Sequence, residues 1–381
     1  MSSPVIFFTG LLLPPSETFI RTQGASLQQF TPYYVGSRAV KGLSLPEDRS
    51  FVVNSSGTIG SVKEAVFKLT GFAPELEQKI QRLNPALIHA HFGVNGTLAM
   101  PIAKRLGLPF ITTFYGLDST LEKSTFQRTS LTQRVYLHRQ SALKQECKLF
   151  VAVSDFIKKK LLEQGFPEDK VVSNYIGVDL QSLQPKPQIP REPLVLFIGR
   201  LVEKKGCAYL IQAMAQVQEA GPDVKLIIIG DGPLRESLEG LAAGLLRNYQ
   251  FLGTQPPEVC KDWMYRAKLL VVPSVTASNG DSEGLPTVLI ESQAMGLPVV
   301  ASIHAGIPEA IVDGETGLLA VERDWQKLGY QISTLLNNSE LWQRFSINGQ
   351  ERAKQQFDLS HQTRNLEKLY QRIITDSGRF S

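Results

Sequence analysis

Short apolar runs alternate with helical patterns along the whole chain. PVIFFTG (4–10) is an apolar run ending at Gly10; ALIHAHFG (86–93), LPFITTFYG (108–116) and KLFVAVSD (148–155) read as further strands. Between them PELEQKIQRL (74–83) and GTLAMPIAKRLG (96–107) carry helical spacing, the second closing at Gly107. Ser16, after two prolines, and Ser154 predict helix caps. Strands that are apolar throughout and separated by helices predict a parallel sheet covered on both faces.

Residues 182–193, SLQPKPQIPREP, place four prolines in twelve positions, a linker signal. The alternation then restarts. PLVLFIGR (193–200), VKLIIIGDG (224–232), NYQFLG (248–253), KLLVVPS (268–274) and PVVAS (298–302) predict strands, with helices over 206–220, 233–246 and 257–267. The fold class expected is α/β: two doubly wound Rossmann-like domains, 1–186 and 187–358, facing across a cleft. The helical stretch within 359–381 has apolar spacing suited to packing back on the first domain.

Composition changes this picture little. A length of 381 residues suits two domains, and 43% hydrophobic with 20% charged residues excludes a mostly disordered chain. Three scattered cysteines, Cys147, Cys207 and Cys260, form neither a disulfide framework nor a zinc spacing and read as small buried hydrophobes. The N-terminus lacks the basic residues of a signal peptide, and no run of about 18 apolar residues predicts a membrane span. Charge is uneven. Residues 1–185 hold 20 Lys+Arg against 14 Asp+Glu (+6), residues 186–381 hold 20 against 22 (−2), and 123–160 hold nine bases and two acids. This is either a solvated face or a surface for an anionic membrane or phosphate-bearing acceptor. The amphipathic stretch 126–147 leaves the same two readings, packing or a membrane foot.

The segment SEGLPTVLIESQAMG (282–296) carries candidate chemistry. Pro286 fits the first helical position and Gly296 the position past the end. The helix N-terminus offers backbone N–H groups to phosphate, and Gly284 allows close approach. Glu291 lies about five residues in, ~7–8 Å at ~1.5 Å per residue, within reach of a ribose beside a bound diphosphate. Glu283, ahead of the helix, can accept from hydroxyls of a sugar beyond the diphosphate. GRLVEKKG (199–206) supplies the cations Arg200, Lys204 and Lys205 at a strand end.

With Gly199, Arg200, Lys205, Gly206, GDGP (230–233), VVPS (271–274), the E-x7-E pair Glu283 and Glu291, and AGIPEAIVDGETGLL (305–319), the chain resembles the retaining GT-B-fold glycosyltransferases of family 4. SETFI (16–20), HAHFG (89–93), TTFYGLD (112–118), VSDFIKKKL (153–161) and NYIGVD (174–179) extend the resemblance to the exopolysaccharide branch and to nearly the whole chain. The resemblance implies that Arg200 and Lys205 hold a donor diphosphate, that Glu291 holds the ribose, and that Glu283 holds the donor sugar. Backbone groups from Gly284 through Leu285, Pro286 and Thr287 to Val288 then touch phosphate and sugar, with Gly199 and Gly230 on the same donor side. It implies anomeric retention without bound metal or resident cofactor, in agreement with the lack of any Asp-x-Asp. Many family members have His-Gly where this chain has Tyr115-Gly116. With a reference pKa of about 10, Tyr115 does not take over a histidine's role as base. Tyr115 and Asp118 are placed on the acceptor side.

His89 and His91, two apart, share one strand face. Structural hydrogen bonds are their first reading, with His91 a catalytic candidate near an acceptor hydroxyl. Gly10 is either a turn or a close approach to the sugar. The expected partners are a nucleotide-sugar donor and a saccharide or lipid-linked acceptor, with no nucleic acid, in a cytoplasmic protein touching the membrane peripherally. A sugar-nucleotide epimerase on the same fold and a non-catalytic nucleotide-sugar-binding protein are the alternatives.

Overall fold

The computed structural model describes residues 2–54, 56–121, 130–221 and 223–378. Two compact units divide the chain: Met1–Gly177 with Leu359–Ser381, and Val178–Asp358. The first unit thus ends at Gly177, not at 186, and the proline-rich segment 182–193 lies in the second. The start of the amphipathic stretch, 126–129, lies outside the described residues; the helix Leu131–Glu146 that follows buries only Tyr136 and Leu143.

The first unit holds β1 (Ser3–Leu12), β2 (Phe30–Ala39), β3 (Ser50–Asn54), β4 (Leu87–His91), β5 (Phe110–Phe114), β6 (Leu149–Ala152) and β7 (Val171–Ser173). They form one parallel sheet in the order β3-β2-β1-β4-β5-β6-β7. The second unit holds β8 (Leu194–Ile198), β9 (Lys225–Ile229), β10 (Tyr249–Gly253), β11 (Leu269–Val272), β12 (Val299–Ile303) and β13 (Gly317–Val321), parallel in the order β10-β9-β8-β11-β12-β13. Both orders reverse beside their first strand, at β1/β4 and at β8/β11. That is the doubly wound arrangement, with ligand sites expected at the strand C-termini where the order reverses.

The apolar runs explain the layering. Successive strand residues point to opposite faces. Ile6, Phe8, Ile88 and Ala90 therefore enter one core layer of the first unit, while Val5, Phe7, Leu87 and Ile111 enter the other. The structure departs from the sequence expectations at four points. β1 continues to Leu12, so Gly10 lies inside the strand and not at its end. Ser16 is no cap: it sits within the turn Pro15–Glu17, and neither that turn nor the helix Thr18–Ala25 has a side-chain cap bond. The helix predicted from 96 starts at Gly93. β2 also had no counterpart among the predicted strands, because Pro32 and Gly36 interrupt its pattern. Ser154 does cap its helix, accepting the Ile157 N–H at 3.2 Å.

The helix Leu359–Asp376 belongs to the first unit and buries Leu366, Tyr370, Ile373 and Ile374 in the second core layer. Each such side chain is worth about 1.5–3 kcal/mol when fully buried. Polar bonds fix its register. Glu367, 1% exposed, accepts the backbone N–H groups of Gln28 and Gln29 at 2.8 and 2.7 Å, and Tyr370 Oη lies 2.6 Å from His89 Nδ1. We predict that Glu367→Ala leaves both amides unsatisfied and costs about 3 kcal/mol. Hydrogen exchange should show this helix opening before the sheet; wild-type protection across it would refute the prediction.

Candidate active site

The site is built from strand ends of the second unit. After β8 the chain passes through Gly199 and Arg200 into the turn Glu203–Lys205, and Gly206 precedes the helix Cys207–Ala220. Beside it β9 ends at Ile229 and is followed by Gly230, whose φ is +140°. A Cβ there would stand 1.9 Å from the Gly199 carbonyl oxygen, so only glycine lets the two strand ends lie this close.

Lys205 Nζ meets Glu283 Oε1 at 2.7 Å. Ser274, following β11, donates to the same oxygen at 3.3 Å. Lys204 holds Asp281 at 2.9 Å and the Ser282 carbonyl at 3.3 Å. The Glu283 backbone N–H donates to Nε2 of His304, which follows β12, at 3.1 Å. His304 Nδ1 lies 2.6 Å from Oε1 of Glu322, which follows β13. Because Nε2 accepts, the ring proton sits on Nδ1 and is given to Glu322. Glu322 also accepts the Thr276 N–H at 2.9 Å. Four strand ends thus converge on one loop.

Burial pushes the Glu283 carboxyl up, but Lys205 and Lys204 outweigh it and hold the group below the ordinary carboxylate range. Arg200 differs from both lysines. It is exposed, and its guanidinium makes no ion pair or side-chain hydrogen bond among the described residues.

The following helix is Thr287–Ala294, with Pro286 its N-cap in an extended conformation (ψ 113°) and not its first helical residue. No side chain caps this N-terminus. Glu291 is the fifth helical residue, and Glu283 lies outside, as the sequence predicts. Burial raises the Glu291 carboxyl above its ordinary value, while Thr287 and Lys261 act against the shift. Gly296, at φ +67°, ends the helix: its N–H bonds the Gln293 carbonyl at 3.0 Å, and the Leu297 N–H bonds Ser292 at 2.9 Å. Gly284, Leu285 and Pro286 are buried, and Thr287 and Val288 half-buried, along the entry to this helix.

In the first unit, His91 reaches the C-terminal end of β4 but is fully buried, stacked on His89 at 4.2 Å. Its Nδ1 lies 2.7 Å from Tyr115 Oη. Burial, then the neighbouring His89, lowers the His91 pKa well below the usual range. Burial, then the charges of Glu17 and Asp118, raises that of Tyr115, so Tyr115 does not serve as a base near neutrality. Asp118, 2% exposed, accepts the Gly93 N–H. Gly10 and Asp118 line a common cleft. Among the described residues no three His, Cys, Asp or Glu side chains converge as metal ligands, and no helix is long and apolar enough to cross a membrane.

Sequence reasoning missed Ser274, His304 and Glu322. His304 and Glu322 lie just before and just after the quoted family segment 305–319, but no local spacing ties them to Glu283.

Two doubly wound units, with a lysine–glutamate pair and an uncapped helix at one switch point, define an α/β protein built on the GT-B pattern. Family models make the assignment specific. The model described as glycosyl transferases group 1 matches residues 181–352, and that of glycosyltransferase family 4 matches residues 39–182. The chain belongs to this glycosyltransferase family. It is 31% identical over 265 residues to the Escherichia coli protein WcaL, named for colanic acid biosynthesis, covering 66% of this chain and 62% of WcaL. The chain thus spans less than two thirds of that relative. A phosphatidyl-myo-inositol mannosyltransferase of Mycobacterium leprae is 27% identical over 94% of this chain and 91% of its own length. Anabaena HepE, solved in complex with UDP-glucose, shares the fold with a TM-score of 0.77 at 19% identity, over 96% of this chain and 99% of HepE.

The strand-end network makes a prediction. His304→Phe keeps the ring but leaves the buried Glu283 N–H unpaired, so it should destabilise the second unit by about 1–3 kcal/mol in urea unfolding. His304→Gln, able to accept through its amide oxygen, should recover part of this. Equal stability of Phe, Gln and wild type would show that the histidine does not hold the loop.

Proposed function

We propose that this chain is a retaining glycosyltransferase. It moves a sugar from a nucleoside-diphosphate sugar to a saccharide or lipid-linked saccharide in polysaccharide or glycolipid biosynthesis, without bound metal or resident cofactor. The observation that carries this reading is the Lys205–Glu283 pair beside an uncapped helix N-terminus, with the unpaired Arg200 on the neighbouring turn. Family membership, a relative named for mannosyl transfer and a fold neighbour solved with UDP-glucose support it.

In this reading Arg200, Lys205 and the N–H groups at Thr287 and Val288 receive the diphosphate. Glu291 accepts from the ribose hydroxyls, and Glu283 accepts from the donor sugar. Gly199, Gly230 and Gly284 allow the backbone to come close, and Leu285 and Pro286 shape the wall. The bond from the anomeric carbon to the phosphate oxygen breaks with its electron pair leaving on phosphate. The acceptor oxygen attacks from the same face, and its proton passes to the departing phosphate. Cations fixed at that oxygen stabilise charge as it develops, the type of contribution worth ~10²–10³ in turnover. The first unit takes the acceptor, with Tyr115 and Asp118 on that side and His91 behind Tyr115.

Arg200→Ala is the clean test, since Arg200 is exposed and unpaired. We expect kcat to fall about 100-fold with little change in melting temperature, and the product sugar to keep the donor's anomeric configuration by NMR. Wild-type turnover in the variant defeats the assignment. Donor conversion to an epimer without acceptor would favour the epimerase reading instead. Lys205→Ala is less clean because it also strands a buried carboxylate.

Contact with an anionic membrane belongs to the same reading. On the helix Gly57–Thr70, Ile59, Val62, Val66 and Leu69 recur every three to four residues and are exposed, with Phe72 beyond them also exposed. The basic excess of residues 1–185 complements an anionic leaflet. The protein should float with phosphatidylglycerol vesicles more than with phosphatidylcholine ones, and Val62→Ser with Val66→Ser should reduce this. Equal flotation with both vesicles, or no effect of the substitutions, counts against the contact.

A further inference from the structure

At the switch point of the first sheet, a cleft of about 340 Å³ is lined by residues that include Gly10, Glu17, Ser37, Lys68, Asn95 and Asp118. Such positions take ligands in doubly wound folds. Two carboxyls line it with acceptor capacity unused. Asp118 Oδ2 accepts the Gly93 N–H, while among the described residues no side-chain or backbone donor meets the strict geometry of a hydrogen bond to the buried Oδ1. Glu17 stands at the start of the helix Thr18–Ala25 without making a cap bond, and its Oε2 is also buried and unpartnered. Folded proteins leave few buried polar atoms in this state. Burial pushes the Glu17 carboxyl up to about 7. Burial pushes Asp118 up to about 6, with hydrogen bonds from the backbone at Gly93, Asp118, Gly116 and Tyr115 offsetting part of the shift.

The cation in the cleft is already matched. Lys68 Nζ lies 2.6 Å from Glu64 Oε1, and Glu64 also accepts from Asn54 at 2.8 Å and from Ser37 at 3.4 Å. The Asn95 amide gives its N–H to the His91 carbonyl at 2.7 Å. A Cβ at Gly10 would stand 2.6 Å from Asn95 Oδ1, so glycine keeps this wall open. Among the described lining residues, the cleft therefore offers carboxyl acceptors, and its one lysine is already paired. A ligand rich in hydroxyl donors satisfies it, and an anion is repelled.

We propose that this cleft binds the uncharged, hydroxyl-bearing ring of the acceptor saccharide, with Glu17 and Asp118 accepting its hydroxyl hydrogens and discriminating against phosphate and uronate groups. Calling that ring the acceptor rests on the glycosyltransferase reading; the binding chemistry does not. Glu17, absent from the expected site residues, becomes a specificity-determining residue.

Saturation-transfer NMR on the full chain tests this with methyl α-glucoside, glucuronate and inorganic phosphate as probes. The glycoside should bind, Glu17→Ala or Asp118→Asn should weaken it at least tenfold, and the two anions should bind more weakly than the glycoside. Unchanged glycoside binding in both variants overturns the proposal. So does an absent glycoside signal in the wild type, or glucuronate or phosphate binding as tightly as the glycoside. UDP-glucose binding, measured in the same variants, reports on the other unit. Its failure while glycoside binding holds would sink the proposed donor reading and leave this site standing.

A stability readout separates binding from a structural role. Among the described residues, Asp118 and Lys68 line the cleft with Glu17, and Tyr115 feels its charge. A carboxyl raised from 4.5 to about 7 in the folded state stays protonated without cost at low pH and opposes folding once it ionises. Glu17→Gln should therefore melt like wild type below about pH 4.5 and higher than wild type above about pH 7. A variant less stable than wild type at pH 8 would make Glu17 structural and overturn the assignment.

Discussion

Everything at the second switch point depends on one buried carboxylate. Glu283 is 7% exposed, and an ionised carboxylate removed from water costs several kcal/mol unless it is paired and hydrogen-bonded. Lys205 supplies the charge and Ser274 a hydroxyl, while His304 takes the backbone N–H of the same residue. Each partner stands just past a strand C-terminus: Lys205 in the turn after β8, Ser274 after β11, His304 after β12. The parallel sheet brings these ends together because all its strands run the same way, so a demand for several partners at one point is met by fold topology. The pairing leaves the carboxylate ionised and oriented, which the proposed acceptance of sugar hydroxyl hydrogens requires.

Much of this was legible in the chain. Apolar runs marked the buried strands because parallel strands covered on both faces need no polar alternation. Pro286 and Gly296 bracketed the short helix, though the proline proved to be its cap; with ψ at 113° it had not yet entered helical conformation. The E-x7-E spacing was readable because both glutamates belong to one loop-and-helix segment. His304 and Glu322 carried no such signal. His304 lies 21 residues from Glu283, and the two meet only once β11 and β12 pair. β2 was hidden by Pro32 and Gly36, residues that weaken a strand pattern without forbidding the strand.

The two units share a topology and differ in how they treat acid groups. In the second unit the buried glutamate is neutralised by lysine and held ionised, and an exposed arginine stands by without a partner. In the first unit the lysine is consumed by Glu64, which Asn54 and Ser37 also satisfy, while Glu17 and Asp118 keep unpartnered oxygens. The proposed ligands differ accordingly, an anion at one switch point and a hydroxyl donor at the other. Identical strand order does not produce this; the side chains on the loops after the strands do.

That sorting bears on how the buried histidine pair is understood. His89 is bonded at both ring nitrogens, to Tyr370 and to Thr113, and burial lowers its pKa to about 3. His91, stacked on it and equally enclosed, stays neutral for the same reason. Two neutral rings stack without charge repulsion, whereas a proton on either would set an uncompensated charge in an apolar layer. His91 bonds Tyr115 Oη and His89 bonds Tyr370 of the C-terminal helix, while burial raises the nearby Glu17 and Asp118 carboxyls. Burial drives the Tyr115 hydroxyl away from neutrality, while it raises the Glu17 and Asp118 carboxyls toward it.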